Sequence, residues 1–360
     1  MKILFYGDVH HGSSLRYGRD IGGVNSRLKA SLAVEEEVYR IAKEDRVDLI
    51  VFLGDLVELS SRAHINDVVR RHILNMADIP RVFVVGNHDL FYKELDFFGN
   101  VNDIFADLGW RVVERIEILD LNGLSLGFAG WKSDDSELID VVVRLGDVQL
   151  WFLHKEIKGG YLRKNLVAED GILLDGVHVG GWVVVGHHHV PYVDEVRRIL
   201  FAGSVHRVDL NDCDGLERGC YIWDSEEPDV FTFVKLGNVS QLDLVEVCVG
   251  DDFDAERFLR EVLVSRKGNC VVLRITARKE VLEWFLRNRV DIMGECGLEN
   301  LTIQPVVLQP EVVRDGVLRV VGAAKSQDER LWNFVNFSKT ELDKEVLFKV
   351  GKEILASCSE

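Results

Sequence analysis

Val84-Val-Gly-Asn-His-Asp89 runs from a short apolar strand into an amide, an imidazole and a carboxylate in consecutive positions. Four other stretches share that design. Asp8 and His10 follow Ile3-Leu-Phe-Tyr6, and Gly54-Asp55 follows the apolar run that begins after Asp48. His154 closes the run 147–153, and Gly186-His-His-His189 closes the run 181–185. Open α/β sheets present their ligand-binding groups at the carboxyl ends of strands. Asp, His and Asn side chains arriving from several strand ends form a donor set suited to two divalent cations.

Between and beyond these stretches the chain alternates strand and helix. Apolar residues at Leu28, Leu32, Val38, Ile41 and Ala42 predict a helix over 26–45. A second helix is expected over 65–76, closed by Pro80, and short helices over 103–108 and 136–144. Asn122-Gly123 between apolar runs predicts a hairpin. Strand and helix alternating with short links is the pattern of a layered α/β fold. The loop 11–25 carries Arg16 and Arg19 and reads either as a solvated loop or as a flap against substrate.

After small and polar residues at 237–241, a βαβαβ pattern recurs over 242–308 without a cluster of chemistry-bearing side chains. Three units are therefore expected: 1–238 with the site, 239–312 as a small α/β cap that positions substrate, and 313–360 as a helical tail. In the tail, Ser338-Lys-Thr-Glu341 has the form of a capping box, and Leu342, Val346, Val350 and Ile354 share one face. That helix either folds back on its own domain or docks a partner.

Composition sets limits. The 360 residues are 47% hydrophobic, enough for sizeable cores, and no apolar run reaches a membrane span. Six scattered cysteines without close pairs fit reduced thiols in a cytoplasmic protein. The net charge of −17 argues against a membrane surface and weighs against nucleic acid, whose binders usually carry basic surfaces. Metals and a local basic groove can still hold phosphates.

Phosphate-ester hydrolysis needs a deprotonated water, an oriented phosphoryl group and neutralised charge, and two ions roughly 4 Å apart supply all three. Oxygen and imidazole donors suit manganese, iron, zinc or magnesium rather than a thiolate metal. Asp8, His10, Asp55, Asn87, His154, His187 and His189 are the candidate ligands.

Gly7-Asp-Val-His-His-Gly12, Gly54-Asp-Leu56, Gly86-Asn-His-Asp89, His154 and Gly186-His-His-His189 resemble the calcineurin-like metallophosphoesterase superfamily. Within it, the chain is most similar to nuclease subunits of SbcCD-type recombination and repair complexes, in the version of T-even bacteriophages. Gly86-Asn-His-Asp-Leu-Phe-Tyr-Lys93, Phe201-Ala-Gly-Ser204 and Arg218-Gly-Cys-Tyr221 carry that finer resemblance.

The resemblance implies a two-sheet sandwich flanked by helices. It implies Asp8, His10 and His189 on one metal, Asn87, His154 and His187 on the other, and Asp55 bridging. His88 would then face the scissile phosphate, oriented by Asp89. It further implies two manganese ions, exonuclease action on duplex DNA, endonuclease action on single strands, a homodimer, and a coiled-coil ATPase docked on the tail helix. The candidate DNA-groove residues are Arg16, Arg19, Lys155, Lys158, Arg163, Lys164 and Arg207. A small-molecule phosphoesterase acting on cyclic nucleotides or phosphomonoesters is the alternative. His11 and His188 are additional imidazoles, expected to be exposed or to support ligands. Glu58 stands where some relatives carry a histidine tied to exonuclease action.

Overall fold

The computed structural model describes residues 1–59, 63–74, 76, 78–90, 109–163, 166–175, 180–237, 239–249 and 254–307. The helix expected over 103–108, the tail helix and Lys164 lie outside these residues.

Two six-stranded sheets face each other. Edge to edge, the first runs Phe231–Lys235, Gly219–Asp224, Lys2–Tyr6, Leu49–Phe52, Arg81–Val84 and Arg111–Val113. Its last four strands are parallel and the first two antiparallel. The second runs Tyr192–Asp194, Ile199–Phe201, Trp182–Gly186, Leu150–His154, Leu124–Ala129 and Ile116–Leu121, with its four inner strands parallel. Asn122 and Gly123 make the turn between the last two, both with positive φ (59° and 81°), as the Asn-Gly pair predicts.

Alternation along the strands builds the layers. Ile3, Phe5, Leu49, Val51, Val82 and Val84 point inward against Leu126, Phe128, Leu150, Phe152, Val184 and Leu200 of the other sheet. The opposite faces take helices. Leu4, Tyr6, Ile50, Phe52 and Phe83 pack on helix Ser26–Glu44 and helix Ala63–Leu74. Trp151, Leu153, Val183 and Val185 pack on helix Asp135–Arg144. The fold is α/β, a two-sheet sandwich flanked by helices.

The first helix begins after Asn25, whose side chain accepts from the Arg27 amide at 2.8 Å. Tyr192–Asp194 and Ile199–Phe201 form a tight antiparallel pair, turning between Asp194 and Ile199. Among the described residues no helix is long and apolar enough to cross a membrane.

Leu242–Cys248, Cys270–Ala277 and Asn300–Val307 form a third, parallel sheet with its own core, including Leu273, Ile275, Leu282 and Phe285. The expected second helix of this unit stops at Arg287, and a further short helix, Arg289–Glu295, follows the break at Asn288. This sheet meets the sandwich through the 11–25 loop. Tyr17 is buried against Leu242, Cys270 and Val272, and Asn300 Nδ2 donates to the Tyr17 carbonyl at 2.6 Å.

Candidate metal centre

The parallel strands of both sheets end at one rim, and the first sheet delivers Asp8, His10, Asp55, Asn87 and His88 there. The second sheet delivers His154, His187 and His189. Among the described residues three donor groups result, each with potential ligand atoms within 4.8 Å of one another: Asp8, His10 and His189; His10, Asp55 and His88; Asp55, His154 and His187. Asp55 divides its two oxygens. Oδ2 lies 3.5 Å from His10 Nε2, and Oδ1 lies 3.5 Å from His154 Nε2. Asn87 Oδ1 is 3.1 Å from both His154 Nε2 and His187 Nδ1.

Bringing these groups together strains the backbone. Asp8, His10, Asp55 and His187 all have positive φ (53°, 48°, 56° and 76°). Such conformations cost of order 1–3 kcal/mol each and persist where the surrounding structure over-determines them. Glycine clears the space between the turns. A Cβ on Gly86 would lie 2.2 Å from Asp55 Oδ1, and one on Gly54 2.3 Å from His154 Nδ1.

The donor set fits divalent cations. His10 Nε2 and His189 Nε2 face each other at 3.3 Å, both turned toward the carboxylates. Burial should lower both His154 and His189. Instead Asp55 and then Asp8 raise His154 to about 9, and Asp212 and then Asp8 do the same for His189. The carboxylates demand positive charge in their midst. The imidazole nitrogens that point away are anchored: His10 Nδ1 to Glu58 Oε2 at 2.9 Å, His189 Nδ1 to Asp212 Oδ1 at 3.2 Å, and His154 Nδ1 to the Leu53 carbonyl at 2.5 Å. Such anchoring is the usual support of a ligating histidine.

All seven candidate ligands converge on the rim. His88 lies beside His10, with ring centroids 4.7 Å apart. Asp89 does not orient it, which corrects the expectation. The Asp89 carboxylate is fully buried and accepts from the amides of Asp55, Leu56 and Gly86, each at 2.9 Å. It ties the two ligand turns together, and burial raises its pKa to about 6. His88 Nδ1 is held instead by the Glu58 carbonyl at 2.8 Å.

His11 and His188 are buried, not exposed. His11 Nδ1 meets Ser31 Oγ at 2.9 Å, with Nε2 3.7 Å from Glu35. His188 Nε2 accepts from the Ile157 amide at 2.9 Å, pinning the loop after His154, and burial lowers its pKa to about 4. His206 Nε2 donates to the Val9 carbonyl at 2.8 Å, between the candidate ligands Asp8 and His10.

Arg16, Arg19, Lys158 and Arg163 are exposed. Arg207 is not a free groove cation: its guanidinium pairs with Asp243 and joins the small sheet to the sandwich. Lys155 is likewise engaged, with the carbonyls of Trp131 and Ser133 and with Asp135.

Several residues around the site carry no sequence mark of the task they perform there. Asp212 lies 23 residues beyond its histidine, with no local motif to mark it. Arg218 donates to the carbonyls of His189 and Asp212. Trp131 stands 5.1 Å from the His187 ring and walls that side of the site. Glu156 Oε2 is 3.8 Å from His187 Nε2.

A helix-flanked double sheet with carboxylate, amide and imidazole donors gathered at its strand ends defines a phosphoester hydrolase of the metallophosphoesterase type. The chain belongs to the calcineurin-like phosphoesterase family, whose pattern it matches over residues 1–228. No curated protein sequence matches it closely enough to add detail. Among solved structures it is similar to YfcE, a phosphoesterase from E. coli, at 18% identity and TM-score 0.35, covering 67% of this chain and 96% of that one. It is also similar to a dimetal phosphatase from Danio rerio, at 11% identity and TM-score 0.41, covering 62% and 91%. A third is TT1561 of Thermus thermophilus, at 13% identity and TM-score 0.39, covering 65% and 98%.

Proposed function

We propose that this protein is a two-metal nuclease that cleaves phosphodiester bonds in DNA. The observation that carries the two-metal reading is the division of Asp55, one oxygen facing each histidine group. Asp8, His10 and His189 would hold one ion, and Asn87, His154 and His187 the other. Manganese suits this mix of oxygen and imidazole donors. When bound, such ions supply Lewis acidity and a water acidic enough to ionise near neutral pH. His88 then has a separate task. With Nδ1 held by a carbonyl, Nε2 is free to stabilise charge on the phosphoryl group or protonate the leaving oxygen.

The DNA reading rests on the motif resemblance to SbcCD-type nuclease subunits, on the small sheet docked beside the His10 loop, and on the exposed Arg16, Arg19, Lys158 and Arg163. In that reading the small sheet positions DNA, the chain works as a homodimer, and the tail recruits a coiled-coil ATPase. The net charge of −17 favours a second reading, a small-molecule phosphoesterase. The test is incubation with manganese and end-labelled linear duplex, single-stranded circles and a chromogenic bis-phosphoester, beside a chelator control. Chelator-sensitive DNA degradation is the expected result. DNA left intact, alone or with its ATPase partner, while the small ester is hydrolysed would overturn the nuclease reading in favour of the second.

A further inference from the structure

We propose that Glu58 is the positioning residue that ties the first metal site to the phosphate-facing histidine, acting on His10 through its side chain and on His88 through its backbone. The inference rests on the two-metal reading above.

Glu58 lies three residues beyond Asp55, on the turn that presents the shared carboxylate. Its Oε2 accepts from His10 Nδ1 at 2.9 Å, and its carbonyl oxygen accepts from His88 Nδ1 at 2.8 Å. One residue therefore fixes the tautomer of both imidazoles. In each, Nδ1 is the donor to Glu58; Nε2 of His10 is left bare for a metal, whereas Nε2 of His88 must carry a proton when it acts on the phosphoryl group. For His10, Nε2 is the atom that faces Asp55 and His189. For His88, it is the atom available to substrate.

The rest of the turn makes this joint rigid. The Glu58 amide donates to the His11 carbonyl at 3.0 Å, and the His88 amide donates to Asp55 Oδ1 at 2.9 Å. His10, Glu58, His88 and Asp55 thus form a closed ring of contacts. The Glu58 carboxylate is about one-third exposed, so its substitution does not open a hole in the core.

The two contacts respond differently to mutation. Any side chain at position 58 keeps the carbonyl for His88, but only an acceptor keeps His10 in place. Removing the partner of a ligating histidine typically costs 10–100-fold in metal affinity. Glu58→Ala should therefore lose roughly that factor for manganese at one of two sites, leaving the other unchanged. Glu58→Gln should recover to within about fivefold, because its amide oxygen still accepts, without charge assistance. At saturating manganese, turnover of Glu58→Ala should return to within about threefold of the parent, since His88 is still held, whereas His88→Asn should stay impaired at any metal concentration.

The experiment is calorimetric titration of the full-length metal-free protein and both Glu58 variants with manganese, followed by turnover of a chromogenic phosphodiester across metal concentrations. Circular dichroism melts establish that the variants are folded. Loss at one site with rescue by glutamine supports the joint. Wild-type affinity at both sites in Glu58→Ala, or equal loss in Glu58→Gln, overturns it. Parent protein that takes up fewer than two manganese ions overturns the two-metal reading itself, so the two failures are distinguishable.

Discussion

The carboxylate of Asp212 lies 3.2 Å from Nδ1 of His189 and is itself fixed by the Val208 amide at 2.9 Å. Burial works against its charge, but the His189 imidazole and then Arg218 outweigh burial and hold the carboxyl below the usual range. Asp212 is thus a permanent anion behind His189, a proposed metal ligand. Asp212→Asn should weaken manganese binding by roughly tenfold, at the low end for such supporting groups. Calorimetric titration checks it, and unchanged affinity would mean His189 is held by packing alone.

Asp55 and His88 should separate metal binding from hydrolysis. Asp55→Ala removes the carboxylate that faces both histidine groups, so metal content by mass spectrometry should fall below one ion per chain. His88→Asn should keep both ions while losing about 10²–10⁴-fold in turnover, the range for a positioned acid. A His88 variant stripped of metal would sink the assignment.

Gly86→Ala tests how closely the ligand turns approach. The added Cβ would fall 2.2 Å from Asp55 Oδ1 and 2.4 Å from the Asp55 amide, so Asp55 must move. Overpacking of this kind costs roughly 1–3 kcal/mol. The variant should still fold, judged by circular dichroism, yet bind fewer than two ions.

Asp89→Ala should act on stability. Four amides, of Gly86, Asp55, Leu56 and Val57, would lose this acceptor, at about 1–3 kcal/mol for each group left unsatisfied. Urea denaturation of the metal-free protein should show a loss of at least about 2 kcal/mol, within that range. A loss near zero would show that those amides find other acceptors.

His206 gives a pH signature. Burial, then Arg27, lowers its pKa from 6.5 to about 3. Between those values the unfolded chain binds a proton that the folded chain refuses, so stability falls as pH drops from 6.5 toward 3 and levels off below. His206→Gln should show the shallower acid dependence, the two curves diverging by on the order of 3–4 kcal/mol across that window. Parallel curves would place the His206 proton elsewhere.

The layered α/β fold and the convergence of the seven candidate ligands were legible because each lies at, or within a few residues of, a strand's carboxyl end, so local pattern and tertiary position coincide. The Asn122-Gly123 turn and the helix expected over 26–45 were readable for the same reason. Asp89 departs from the role the resemblance implies because consecutive side chains leave a turn in different directions and backbone amides compete for the carboxylate. Arg207 and Lys155 were misjudged because a cation's charge is visible in sequence and its partners are not. Asp243, the Trp131 carbonyl and the Ser133 carbonyl are brought to them by the fold alone. Buried His11 and His188 escaped because the Ser31 hydroxyl and the Ile157 amide that satisfy them are distant or backbone groups.

The division of ligands between the sheets has a consequence for biogenesis. The first sheet brings Asp8, His10, Asp55 and Asn87, while His154, His187 and His189 come from the second. In the proposed two-metal assignment neither half supplies every ligand of either ion, so a chain whose sheets are mispaired or incompletely closed would not hold both ions as proposed. On that assignment metal loading would certify assembly, and hydrolysis would stay switched off in partly built forms of the molecule.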